Sequence, residues 1–453
     1  MIAGPEAIKR GKSLSRSKTY FHEKDMKTDN TNKVVYREAL IAAVCGALVA
    51  ICFLVTTPPF WLAEEPAIAA HLALGHGFLS PLVSTANAIP TAMSPPLYSF
   101  LMAGVYKIFG VATTASLNIM LGLNVVSAAL VAAGVYVLAV GCFNIQSARL
   151  AVALFVLNPV LGRTVTVLWH TYLVLALLIW ILIWCRGMNV SRTASPAGMA
   201  TLGVTLGIMA LGSPTVVLAY PLLVILAIGK TTWGRWIGLS SVCFVAFCIV
   251  LTPWTIRNYK VFGRFFFLRD NLPLEFMIGN QPGASGAHTL QNHPSTDPVE
   301  RARLLGMGEN RYFDDCWKRF AARYKAEPLT YWRVTLRRGL ILFVDPYENK
   351  RFGALRMLID GIYAVLGFAG IWTAWRARRT HIWLFGILAL CSFPYIFTEV
   401  NPSYTLPLRI ALLIYGGSAL AAWTGNFARQ ACRSGIDSLE QGRGISAMDE
   451  GVN

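Results

Sequence analysis

The sequence predicts an all-α polytopic membrane protein of about ten transmembrane helices, with outward-facing juxtamembrane helices and a small outer α-rich domain. Three observations carry this prediction. Of 453 residues, 55% are apolar and only 14% are charged, whereas a soluble domain carries roughly 25% charged residues. Mean hydropathy is +0.51. Uncharged apolar runs of about 17 or more residues, enough to cross about 30 Å of hydrocarbon as helix, recur along the chain. Together these exclude a soluble globular domain, a disordered chain, a collagen, a coiled coil and a disulfide-stapled secreted fold. The net charge of +17 does not imply nucleic acid. The basic residues flank the apolar runs, where they anchor helices against anionic leaflets, and no motif of a nucleic-acid module is present. The nine cysteines show no zinc spacing and read as small packing residues.

Taken in order, residues 1–38 are polar and rich in lysine and arginine, as a disordered cytoplasmic tail is. The transmembrane core covers 39–254. Its first span, 39–57, leads outward by charge bias and places the loop 58–113 on the far side of the membrane. Within that loop, Pro95 to Gly110 is amphipathic and carries Lys107, which predicts an interfacial helix. Further spans are expected at 114–141, 147–164, 170–186, 197–212, 213–229, 236–254, 358–375, 381–398 and 404–424. The loops bearing Arg186 and Arg192, Lys230 and Arg235, and Arg376, Arg378 and Arg379 all fall on the side of the basic N-terminus. An insert at 255–357 faces outward, with loop at GNQPGASG and helical composition over Val299 to Lys325, uninterrupted by Gly or Pro after Gly308. The C-terminal spans occupy 358–424 and a second cytoplasmic tail 425–453.

Between Glu65 and Asp270 the chain has no Asp or Glu at all. Intramembrane acids mark ion and proton pathways, so this stretch argues against a proton-coupled transporter. The acids outside the tails are expected in outward-facing segments, which places any acid–base chemistry at the outer rim. Glu64 and Glu65, directly after the first span, are candidates for a partly desolvated base. They equally suit the N-terminus of a helix opened by Pro66. His71 and His76 are spaced neither three nor four apart, so one helical face cannot offer both to a metal. Arg257, Lys260 and Arg264 punctuate an aromatic run after a span, which suits a lipid phosphate or a belt of anchors. Arg409, about one turn inside the last span, requires a partner: Glu399, a carbonyl or a ligand phosphate. His170, in VLWHTYL, sits at another outer turn.

Four stretches carry a family resemblance: EEPAIAAHLALGHGFLSPL, PTAMSPPLYSFLMAGVYKIFG, TPWTIRNYKVFGRFFFLRDNLPLEFMIGNQPGASG and SYTLP. In their order and spacing over about residues 58 to 424, the chain resembles the GT-C class of membrane glycosyltransferases that use polyprenyl-phosphate sugars. The similarity is to the bacterial branch with the lipid A aminoarabinose transferase and protein mannosyltransferase-like enzymes. The resemblance implies that the first outer loop supplies a catalytic carboxylate, Glu64 by position with Glu65 as runner-up. It implies a cavity between membrane and outer domain for the lipid-linked sugar. Donor-phosphate contacts would come from Arg257, Lys260, Arg409 and Tyr404, and substrate contacts from Asn258, His170 and Asn280. Two departures stand out: His170 replaces a glutamate common after the tryptophan, and Ser403 replaces an arginine that often precedes the tyrosine. The first weakens the case for a metal, so no metal-binding residue is assigned and a divalent cation is only a candidate cofactor.

The expected activity is inverting transfer of a sugar from a polyprenyl-phosphate donor to an envelope acceptor, at the outer face of a bacterial cytoplasmic membrane. Its partners are the donor, the acceptor and membrane lipid, with no nucleic acid. The rival expectations are a transporter or lipid flippase, and a non-catalytic scaffold.

Overall fold

The computed structural model describes residues 32–58, 64–82, 88–344, 353–377 and 381–425. Most of the expected N-terminal tail and nearly all of the C-terminal tail lie outside these residues. Six helices are long and apolar enough to cross a membrane: α1 (Asn32–Thr56), α4 (Thr114–Cys142), α7 (Thr171–Ser191), α10 (Trp233–Phe262), α15 (Gly353–Arg376) and α17 (Pro402–Gly425). Four shorter apolar segments lie between them: α5 (Ile145–Val156), α8 (Pro196–Gly212), a 3-10 turn running into α9 (Pro214–Ile228), and α16 with its 3-10 end (Ile382–Ile396). These ten segments fall where the ten apolar runs are. Among the described residues there is no strand, only isolated bridges at Leu79–Pro90 and Ala287–Val400.

Two boundaries differ from expectation for local reasons. The first helix already includes residues 32–38, ahead of the expected start at 39, and Glu38 finds partners there: it accepts from the Tyr136 hydroxyl at 2.7 Å and pairs with Arg149. The expected span 147–164 is divided at Asn158. Its side chain accepts from the Val160 and Leu161 amides and starts α6 (Pro159–Thr164), with Pro159 at the first helical position. Helix α8 packs on α10 through Gly203 and Gly207, where an added Cβ would lie 2.1 Å from the Cys243 carbonyl oxygen and 2.7 Å from Val250 Cβ. Such small-residue spacing lets two apolar helices approach where water supplies no drive to pack them.

At one end of the bundle lie α2 (Glu64–Ala73), α3 (Pro96–Phe109) and the insert helices α11 (Leu272–Gly279), α12 (Pro298–Met307), α13 (Glu309–Ala326) and α14 (Pro328–Ile341). Helix α3 buries Tyr98, Met102 and Tyr106 and exposes Phe100, Ile108 and Phe109 beside Lys107, the two faces expected of an interfacial helix. The helical stretch expected over 299–325 is two helices that meet at Gly308, whose φ of +76° divides them. A compact core of Leu82, Met93, Leu274, Ile278, Leu304, Tyr312 and Phe313 joins the first loop to the insert.

Candidate active site

The two adjacent glutamates at the start of α2 face different surroundings. Glu65 is 1% exposed and its Oε1 lies 2.8 Å from His170 Nδ1, and burial raises its carboxyl above the usual range. Glu64 is about one-third exposed. It accepts from Ser94 Oγ at 3.0 Å and stands 3.9 Å from His293 Nε2. His170, where relatives of the resembled class have a glutamate, is thus the partner of Glu65. The turn that carries it is fixed by Asn124, whose Nδ2 donates to the Val165 and Val167 carbonyls at 2.9 and 2.8 Å.

Around Glu64 the insert and the approach to α17 contribute charges that the sequence did not assign to the site. Arg269 faces Glu275 at 4.0 Å and also feels Tyr404, Tyr395 and Glu64. Burial opposes its charge, yet these neighbours hold its guanidinium above the usual value. Glu275 is pushed up to about 7, first by burial and then by the nearby charges of Glu399 and Glu64. Glu399 is 3% exposed, hydrogen-bonds His288 Nδ1 and accepts from the Thr289 amide at 3.3 Å. Burial pulls the His288 imidazole down, but Glu399, Glu275 and Glu64 raise it overall. His293 is the reverse case: burial lowers it despite Glu64 and Glu399. Glu399 reaches Glu275 because Gly279, at the end of α11, lies against the Thr398 backbone, with an added Cβ only 2.0 Å from its carbonyl oxygen.

The ring of Tyr404 stacks on Tyr395 at 4.1 Å and lies 5.1 Å from Trp169, itself 5.0 Å from His170. Beneath this aromatic wall a narrow cleft enters the bundle, lined by His170, Val174, Leu178, Val216, Cys391 and Pro407. From His170 to Leu178 it follows α7 for about 12 Å. Beside it, Arg163, Trp169, His288, Arg356 and Ser403 line a second cavity of about 280 Å³.

The structure does not bring all the expected phosphate ligands to this cluster. Arg257 donates to the carbonyls of Thr91 at 2.8 Å and Phe78 at 3.1 Å, and lies over the rings of Phe78, Trp254 and Phe262. Asn258 is fully buried and donates to the Leu268 carbonyl, as Trp254 Nε1 does at 2.7 Å. Asn258 and Trp254 thus bind the segment that presents Arg269, whereas Arg257 binds the first outer loop. Arg409 is 4% exposed and pairs bidentately with Asp360, at 2.6 and 3.1 Å. Its partner is therefore an acid inside α15 rather than Glu399, which corrects the expectation that acids outside the tails all lie in outward segments. A buried cation deep in apolar surroundings needs that compensation. Lys260 is exposed on the last turn of α10. Asn280 accepts from Arg338 Nη2 at 3.0 Å and donates to the Phe276 and Phe397 carbonyls, so it ties α11 to α14. His71 and His76 have ring centroids 6.1 Å apart. Among the described residues, no group of three or more His, Cys, Asp or Glu converges to hold a metal ion.

No protein-family model matches the chain, and no curated protein matches it. Among solved structures it is similar to the Archaeoglobus fulgidus oligosaccharyltransferase in its apo form, at 14% identity and TM-score 0.51, over 88% of this chain and 52% of that one. It is also similar to ArnT from Cupriavidus metallidurans bound to undecaprenyl phosphate, at 16% identity and TM-score 0.49, over 88% of this chain and 63% of that one. The chain spans between half and two thirds of the length of these structures. What it shares with the archaeal enzyme is the fold, so the resemblance seen in the sequence holds at the level of architecture.

Proposed function

We propose that the protein transfers a sugar from a polyprenyl-phosphate donor to an envelope acceptor at the outer face of a bacterial cytoplasmic membrane, with inversion at the anomeric carbon. One observation carries this reading: Glu64, a partly exposed carboxylate held by Ser94 and 3.9 Å from His293, belongs to the same outer cluster as Arg269, and Tyr395 and Tyr404 of that cluster line an apolar cleft. The fold shared with an oligosaccharyltransferase supports it.

In the proposed step Glu64 accepts the proton of the acceptor nucleophile while that atom bonds to the anomeric carbon. The bond from that carbon to the phosphate oxygen breaks, and polyprenyl phosphate departs with its electron pair. Ser94 holds one oxygen of Glu64, which leaves the other for the proton. Arg269 and the Tyr404 hydroxyl meet the charge that develops on the leaving phosphate. The first isoprenoid units lie in the cleft along α7. Arg163 and Arg356 line the cavity beside Ser403 and supply positive charge where the resembled class places an arginine. Glu65 positions His170 in the cleft wall.

Transfer from a labelled polyprenyl-phosphate sugar by purified protein tests the reading. Glu64→Gln lowers the rate by about 100-fold or more, the usual contribution of a positioned base. Transfer at the wild-type rate in both Glu64→Gln and Glu65→Gln rejects the proposed base, and translocation of the donor without transfer favours a flippase.

A further inference from the structure

At the end of the bundle opposite the candidate site, the C-terminal ends of α7 and α9 meet the start of α10 around a cavity of about 710 Å³. Its rim carries Arg192, Lys230 and Arg235. Its wall is apolar, with Leu222, Leu226 and Trp383 among the lining residues. The rim is held in place. Asn189 Nδ2 donates to the Leu226 carbonyl at 2.8 Å, and Gly229 at φ +63° packs against the same side chain. Arg235 Nη2 donates to the Ala194 carbonyl at 3.1 Å.

Three cations gather here with no carboxylate in the lining. The sequence dictates that lack, because α7 to α10 fall in the stretch between Glu65 and Asp270 that contains no acid, and α16 has none either. Basic residues in loops on this side are ordinary anchors. An intramolecular cavity that combines their charges with an aliphatic wall is a different object: it matches a molecule with an anionic head and a hydrocarbon tail. We infer that this cavity binds one anionic phospholipid of the inner leaflet, its phosphate between Arg192, Lys230 and Arg235 and its acyl chains against Leu222 and Leu226. The site is separate from the proposed donor site, so it does not depend on the activity.

Native mass spectrometry of the full-length protein in mild detergent, offered phosphatidylglycerol and phosphatidylcholine of matched chains, tests this. The wild type retains one phosphatidylglycerol in preference to phosphatidylcholine. Arg192→Gln, Lys230→Gln and Arg235→Gln together weaken that retention by on the order of 100-fold, from about fivefold per basic residue at an anionic lipid surface. The charge-conserving set Arg192→Lys, Lys230→Arg and Arg235→Lys keeps it. Ile225→Trp, at a lining position that is half exposed, adds bulk to the wall assigned to the acyl chains without touching a charge and weakens retention severalfold, which serves where the triple variant fails to fold. Equal retention of the two lipids, unchanged retention in Ile225→Trp, or full displacement of the lipid by inorganic phosphate would overturn the inference.

Discussion

The pair Asp360–Arg409 gives the sharpest test of how this bundle uses charge. Its groups are 0% and 4% exposed and meet at 2.6 and 3.1 Å. Thr405 takes a third guanidinium proton, from Nε at 2.8 Å. Two unit charges centred about 4 Å apart attract by about 4 kcal/mol at an effective dielectric constant of 20. Removing one partner strands the other in apolar surroundings, so Asp360→Asn costs about 3–5 kcal/mol. Replacing both, as Asp360→Leu with Arg409→Met, removes the attraction and the desolvation cost together and returns the protein to within about 1 kcal/mol of wild type or above it. The assay is reversible unfolding in mixed micelles, read as a double-mutant cycle, with transfer measured on the folded fraction of each variant. A structural pair predicts a strong coupling energy and a folded double variant that still transfers sugar. The reasoning is refuted if the double variant is as unstable as Asp360→Asn, or if it folds normally and has lost donor binding. The second outcome would return Arg409 to the phosphate, where the sequence first suggested it.

Three further outcomes follow from the insert and its contacts. Glu275 is neutral below about 7 in the folded protein but ionises near 4.5 when exposed, so its contribution to stability is complete below pH 4.5 and is lost as pH rises through about 7. Asp270, raised to about 6 mainly by burial, and Glu309, raised by burial beside Asp270, act in the same direction. Melting temperature should therefore fall across that window and fall less steeply in Glu275→Gln; an unchanged slope would exclude Glu275 as a source. Gly279→Ala pushes a methyl into the Thr398 carbonyl, costs about 1–3 kcal/mol and displaces Glu399 from His288; a variant with wild-type melting and wild-type transfer would show that the contact is loose. Arg257→Lys keeps the charge but cannot satisfy two carbonyls and three ring faces at once. It lowers stability by about 1–3 kcal/mol and leaves donor affinity within a fewfold of wild type, whereas a loss of affinity equal to that of Arg269→Gln would place Arg257 on the phosphate itself.

The fold was legible because each span must satisfy its own backbone in lipid, which writes uninterrupted apolar runs into the sequence. The same runs hid the break at Asn158, where a capping side chain costs little hydropathy. The site was legible only in part. Glu64 stood out because it and Glu65 are the last acids before the acid-free stretch that runs to Asp270, and Tyr404 through the weaker tyrosine–proline element before the last span. Arg257 and Asn258 stood out through their own motif, yet Asn258 holds the chain that presents Arg269 and Arg257 holds the first outer loop. A guanidinium that binds backbone carbonyls and one that awaits a phosphate look identical in one dimension, since the choice depends on whether a carbonyl-rich loop such as Phe78 to Thr91 folds over it. Arg409 was misleading in the same way. Its partner Asp360 lies 49 residues upstream, at a distance that no local pattern records. His288, His293 and Glu275 were invisible because the insert lacks a period and its loops are polar throughout, and Glu399 was visible only as a candidate partner for Arg409. They meet Glu64 only after α11, the His288–His293 loop and the approach to α17 have folded against the first loop. The proposed chemistry therefore rests on chain segments whose encounter is set by packing at Gly279 and Asn258, and substitutions at those two positions should reduce transfer through Glu399 and Arg269 without touching a substrate.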